Sequence, residues 1–81
     1  MQRQTVGVIG FGRFGRYWAA ALTPDHDVLV TDQVDGSARA AEIGARFTDL
    51  NTLTSEAQTI FLCVPINRFE ALVRAISPLL R

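Results

Sequence analysis

Lysine is absent from this sequence: all eight basic residues are arginine. That excludes Schiff-base chemistry and any Walker-type phosphate loop, whose Gly-Lys-Ser/Thr step needs the ammonium group. A single cysteine, Cys63, excludes an internal disulfide and a cysteine-rich metal site, and its place inside an apolar run reads as a small buried hydrophobe. No catalytic residue and no metal ligand is expected. No apolar run approaches the roughly 18 residues that span a bilayer, and Met1-Gln2-Arg3-Gln4 leads straight into an apolar strand without a signal-peptide core. A cytoplasmic location is therefore expected. Eight acidic residues offset the eight arginines, which argues against nucleic acid or an anionic membrane as partner.

What is present suits one small globular domain. The 81 residues are 48% hydrophobic and 20% charged, and they contain no repeat, linker or low-complexity segment. Gly10, Gly12 and Gly15 stand as G-x-G-x-x-G between the apolar run Val6 to Ile9 and a helical pattern that begins near Arg13. The next strand-like run, Val28 to Thr31, ends in Asp32, 22 positions after Gly10. Strand, glycine turn, helix, strand and acid in that order form the dinucleotide-binding fingerprint.

Each glycine has its own task in that reading. Gly10 takes the tight turn out of the strand, Gly12 lets the backbone approach a pyrophosphate, and Gly15 lets the helix pack closely on the sheet. The free N–H groups of the first helical turn, including those of Arg13 and Phe14, sit at the positive end of the helix dipole and suit an anion. The Arg13 guanidinium either adds a phosphate contact or is a solvated charge. Asp32 selects among dinucleotides: its carboxylate can accept from both ribose hydroxyls of NAD and would repel the 2′-phosphate of NADP. Gln33 follows it where an NADP site would place an arginine, and Arg39 is a helical turn or more away. NAD is the expected cofactor, ahead of NADP.

The coarse reading is α/β. Strands are expected at Thr5–Ile9, Val28–Thr31, Ala45–Thr48 and Thr59–Val64, the last a continuous apolar run suited to a buried parallel strand. The first helix, Arg13–Leu22, is expected to face the sheet with Phe14, Trp18 and Leu22 and to stop at Pro24. A second helix, about Gly36–Ile43, is expected to carry Asp35 as N-cap and Gly44 at its C-terminal end, and Leu50–Ala57 reads as a polar helical turn. The last helix is expected to start at an Asn67/Glu70 capping box and to face inward with Phe69, Leu72, Val73 and Ile76. Four strands alternating with helices imply a Rossmann-type, doubly wound parallel sheet in the order 3-2-1-4, incomplete relative to the full fold. In that topology His26, in Pro24-Asp25-His26-Asp27, lies at the edge opposite the ligand crevice and reads as a surface turn residue. Val64-Pro65 ends the fourth strand on the ligand side and reads either as a strand terminator or as a shaped edge beside the nicotinamide ribose.

Val8-Ile9-Gly10-Phe11-Gly12-Arg13-Phe14-Gly15, Asp32, Ile43-Gly44-Ala45-Arg46-Phe47, Phe61 to Asn67 and Ile76-Ser77-Pro78-Leu79-Leu80 together resemble the N-terminal portion of the prephenate/arogenate dehydrogenase family. The resemblance implies oxidative decarboxylation on the route to tyrosine. It also implies that Gly10 to Gly15, Phe11 among them, take the pyrophosphate, Asp32 the adenosine ribose, and Val64 and Pro65 the nicotinamide side. That family continues past the point matched by Arg81 with a further strand, a catalytic serine and histidine, and a helical dimerisation domain. Residues 1–81 are accordingly expected to be a partial dinucleotide-binding domain, inactive alone, with a small-molecule substrate only in a longer parent.

Two other readings share the residues. Regulatory nucleotide-sensing domains of the RCK/KTN type resemble the Gly-Arg-Phe-Gly ring, but they usually have a longer stretch before the fourth strand and lack its Val-Pro ending. Other reductases of the same fold, acting on β-hydroxyacids or imines, differ mainly outside these residues. A domain this small buries only about 60% of its unfolded-chain surface, and an outer edge on strand four favours marginal stability or self-association, a homodimer included.

Overall fold

The computed structural model describes residues 3–80. Four strands, β1 (Gln4–Ile9), β2 (His26–Thr31), β3 (Arg46–Phe47) and β4 (Thr59–Leu62), form one parallel sheet in the order β3-β2-β1-β4. The register sets Val6 beside Val28 and Val8 beside Val30, so the alternating valines of the two central strands share one face. Helices α1 (Arg13–Leu22), α2 (Ser37–Glu42), α3 (Leu50–Glu56) and α4 (Ile66–Ile76) connect or follow the strands, and a 3₁₀ turn, Ser77–Leu79, closes the described chain. The α/β class and the strand order are those the sequence implied.

Each face of the sheet carries its own core. On one, Val8, Val28 and Val30 pack with Phe11, Ala19 of α1 and Ala40 of α2; on the other, Ile9 and Leu29 pack with Leu53 and Ala57 at α3 and Ile76 of α4. Val8, Val30 and Leu53 are fully buried, and each such side chain contributes roughly 1.5–3 kcal/mol relative to exposure. Two cores on opposite faces make the sheet doubly wound and leave the carboxyl ends of its strands open between the helix layers.

Four local expectations are corrected. The stripe Phe14–Trp18–Leu22 is not the buried face of α1, because Phe14 is 73% and Trp18 47% exposed while Gly15 and Ala19 are buried. The helix lies too close to the sheet for an aromatic ring, so its small residues face inward and Leu22 is only half-buried. Trp18 instead meets Phe61 edge-on, with ring centroids 6.1 Å apart. β4 stops at Leu62 and is half-buried, since it pairs only with β1 and is an edge strand. Asn67 does not cap α4: the cap position is Pro65, Asn67 lies within the helix, and Glu70 pairs with Arg74 at 2.8 Å. Gly36, not Asp35, holds the N-cap position of α2, although Asp35 still accepts from the Ser37 N–H at 2.9 Å.

The inward face expected of α4 is kept by Leu72, Val73 and Ile76, while Phe69 is 44% exposed. The end of α2 and the amino edge of the sheet are as read. Gly44 has φ +80°, and the Gly44 and Ala45 N–H groups bond the carbonyls of Ala41 and Ala40, a Schellman ending that a left-handed glycine permits. At the amino ends of the strands Arg3 clamps the turn before β2, with Nε 3.0 Å from Asp27 Oδ1 and a second nitrogen donating to the Thr23 carbonyl at 2.8 Å. His26 opens β2 at that same edge, away from the crevice, its Nδ1 3.2 Å from the Leu22 carbonyl.

Candidate functional site

The glycine loop leaves β1 at Ile9 and enters α1 at Arg13. Gly10 has φ +100°, a conformation that strains any side chain, and its N–H donates to the Thr31 carbonyl at 2.8 Å. A Cβ there would also strike the Cys63 carbonyl oxygen, and one at Gly15 would strike the carbonyl oxygen of Gly10. Both glycines are required by packing. Gly12 differs, because a Cβ there would meet no atom within 4 Å. It is the N-cap of α1, makes no side-chain cap hydrogen bond, and begins the helix whose first internal bond is Arg16 N–H to the Gly12 carbonyl. The space in front of it is open, and the first-turn N–H groups have no helical partner.

Asp32 follows the last residue of β2 and ties the strand end to the loop. Its Oδ2 accepts from the Phe11 N–H at 2.8 Å and its Oδ1 from the Gln33 N–H at 2.7 Å. The Phe11 side chain is buried in the core, and its N–H is committed to Asp32, so Phe11 positions the loop from within. Arg13 and Phe14 are exposed at the start of α1.

The carboxyl ends of the strands open into a cleft of about 880 Å³. Its floor and one wall are Ile9, Gly10, Thr31, Asp32, Gln33 and Val64; Phe47, Thr48, Asp49 and Leu50 close the β3 side, and Asn67, Arg68, Ala71, Leu72 and Ala75 of α4 face them. Of the expected site residues, Gly10, Asp32 and Val64 line this cleft, whereas Gly12, Arg13, Phe14 and Gly15 form the α1 side outside it. Phe11 lies beneath the loop, and Pro65 turns the chain from β4 into α4. The α4 wall and the β3 end were not singled out from the sequence. Ala71 and Ala75, small residues at helical spacing beside the apolar Leu72, were the available signal.

Two titrating groups are perturbed near the site. The Thr52 N–H, donating to Asp49 Oδ1 at 2.7 Å, holds the Asp49 carboxyl below its ordinary range, and burial pushes the Cys63 thiol up. Cys63 is half-buried against the first core, consistent with a packing role. Among the described residues no cluster of three or more His, Cys, Asp or Glu could hold a metal ion, and no helix is long and apolar enough to cross a membrane.

A parallel sheet, a glycine turn into a helix N-terminus, and an acid at the end of the second strand define a dinucleotide-binding α/β domain. The family model of the D-isomer specific 2-hydroxyacid dehydrogenase, NAD binding domain, matches residues 1–71, and the chain belongs to that family. It is 37% identical over 65 residues to a Staphylococcus haemolyticus protein assigned as a 2-hydroxyacid dehydrogenase, covering 79% of this chain and 20% of that one. It is 31% identical over 77 residues to arogenate dehydrogenase 1, chloroplastic, of Arabidopsis thaliana, covering 91% of this chain and 12% of the relative. The solved apo-structure of D-lactate dehydrogenase from Escherichia coli superposes with a TM-score of 0.79 at 30% identity, over 98% of this chain and 26% of that one. The chain thus spans about a quarter or less of the length of each of these three proteins.

The family differs from the one that the short motifs suggested. The match over residues 1–71 takes in the glycine loop and Val64-Pro65, and it supports the reading as another reductase of this fold.

Proposed function

We propose that this chain binds NAD across the crevice and is the cofactor-holding part of an enzyme that moves a hydride between nicotinamide and the carbinol carbon of a 2-hydroxy acid. The observation that carries the cofactor reading is the contrast at the glycines: Gly10 and Gly15 are closed by packing, and Gly12 alone opens onto free space before the α1 N-terminus. A side chain at position 12 would fill the cradle. The residues fit the group: the first-turn N–H groups would hold the pyrophosphate, with Arg13 beside it, Asp32 would accept from the adenosine ribose, and Val64 and Pro65 would border the nicotinamide half. NAD supplies the hydride acceptor when bound; the chain's own part is to bind, orient and hold the charge. The substrate reading rests on the family match over residues 1–71.

A second reading, prephenate or arogenate as substrate, rests on the 31% identity to the plant enzyme over 91% of the chain. It changes the substrate and leaves the cofactor site as described.

Cofactor choice is tested by calorimetric titration. NAD is expected to bind more tightly than NADP, because the Asp32 carboxylate accepts ribose hydroxyls and repels a 2′-phosphate. Asp32→Asn keeps an acceptor for the Phe11 N–H and removes the charge, so it should weaken NAD by about tenfold or more and narrow the gap. Equal or tighter NADP binding by the unchanged chain would refute the assignment.

A further inference from the structure

The outer edge of β4 is open. No strand lies beyond it among the described residues, and Thr59–Leu62 carries neither a charge nor a proline, the usual guards of an exposed edge. Cys63 donates its N–H to the Ile9 carbonyl at 2.8 Å, so the alternation of a parallel strand turns Phe61 toward β1 and points the N–H and carbonyl groups of Ile60 and Leu62 outward. Both flanks of that edge are apolar. On the α1 side Trp18 meets Phe61, Tyr17 packs edge-on against the Trp18 ring, and Phe14 lies one turn earlier on the same side. On the other side α4 turns Ala71 and Ala75 to the cleft and Leu72 and Ile76 to the core, which at about 3.6 residues per turn sets the exposed Ile66 and Phe69 toward the β4 edge. At roughly 200 Å² per aromatic side chain, the exposed parts of Phe14, Tyr17, Trp18 and Phe69 amount to on the order of 450 Å² per copy, so two copies with Ile66 and the strand edge clear the threshold of about 1,000 Å² for a specific interface. Equal numbers of acidic and basic residues set no net repulsion between copies.

We propose that this surface docks a second copy of the chain: two β4 strands pair antiparallel about a two-fold axis at Phe61 and join the two sheets into one. The Gln58 N–H is committed to the Thr5 carbonyl and β4 ends at Leu62, so the register that uses both outward residues sets Ile60 of one copy against Leu62 of the other. Each such pair exchanges both of its N–H to carbonyl bonds. The axis stands Phe61 beside its counterpart and brings the Trp18 sides of the two α1 helices together, an isologous contact in which every residue serves twice. The crevice lies on the other side of α4, over the ends of β1, β2 and β3. Both cofactor sites therefore stay open, and the pairing does not depend on the NAD reading.

Sedimentation equilibrium of the 81-residue chain, run from low to high micromolar concentration, should show the mass rising from 8.9 kDa toward twice that value. Tyr17→Glu puts a charge into the contact at a position that is 65% exposed, so it should keep its circular dichroism and weaken the dimer by about tenfold or more. Cross-linking reads the register. Thr59 is exposed and falls opposite Cys63 of the second copy at a Cα separation of about 4.5 Å, within the span of a disulfide, whereas the two Cys63 residues are offset along the strands and out of reach. Under a mild oxidant Thr59→Cys should therefore give a covalent dimer linked between position 59 and Cys63, and the unchanged chain should give none. A monomer at every concentration would overturn the proposal. So would a dimer that Tyr17→Glu leaves intact, or one that Thr59→Cys does not link from position 59 to Cys63.

Discussion

At the scale of single residues, three glycines with one sequence signature do three separable things. Gly15→Ala inserts a methyl group against the Gly10 carbonyl, an overpacking that should cost about 1–3 kcal/mol of stability, read as a lower denaturation midpoint. The Cβ of Gly12→Val meets no atom within 4 Å, so the variant should leave helical circular dichroism and the midpoint nearly unchanged while abolishing dinucleotide binding. Unchanged affinity in that variant would mean that the loop is only structural. The motif announced the turn at Gly10 and the close packing at Gly15. What it did not show was that the Phe11 N–H is taken by Asp32, so that the acid proposed to meet the ribose also organises the loop. A hydrogen bond between positions 21 apart leaves no trace in spacing.

Elements were legible to the extent that their signals were local. Helix α1 has the limits that its pattern and Pro24 imply, and Gly44 ends α2 as its left-handed preference allows. The face of α1 was misread because an aromatic stripe at i, i+4 looks like a core, whereas contact distance decides. At Gly15 the helix touches the backbone of β1's turn, and only small residues fit beneath it. The start of α4 was misread because Pro65 can occupy the cap position itself, leaving Asn67 inside the helix. The shorter connecting helices depend on aspartates: Ser37 N–H holds the Asp35 carboxyl below its ordinary value of 3.8, and Thr52 N–H does the same for Asp49. A carboxyl whose folded value is depressed contributes its stability above the ordinary value and loses it as pH falls through the depressed one. Titration from pH 6 to pH 2 should show progressive loss of helical signal, with a shallower acid limb in an Asp35→Asn, Asp49→Asn double variant. Identical acid limbs would contradict the capping account.

On the scale of the whole molecule, the fold places its one histidine on the wrong side for chemistry. His26 sits at the amino ends of the strands, held near the Leu22 carbonyl, while the crevice opens at the carboxyl ends. The chain is therefore expected to bind cofactor without turnover. Incubation of the purified chain with NAD and a panel of D-2-hydroxy acids, or with arogenate, should give no NADH above background. Turnover would mean that a group lining the crevice, where Asp32 and Asp49 are the acids, takes the substrate's proton. Strand order was legible because alternating strands and helices with one acid at a set distance admit few topologies. The particular family was not, because the motifs read from the sequence are those of a dinucleotide-binding turn, and the chain spans only about a quarter or less of the length of relatives that carry different names.

The central claim is that NAD lies across the carboxyl ends of the strands with its pyrophosphate before Gly12. Amide chemical shifts of the ¹⁵N-labelled chain, followed through an NAD titration, test it residue by residue. The account predicts saturable shifts at Gly12, Arg13 and Phe14 in the glycine turn and at Asp32 and Gln33 beyond β2, with Arg3, His26 and Asp27 at the opposite edge unmoved. Shifts concentrated at that opposite edge, or no saturable shift in the glycine turn, would contradict it.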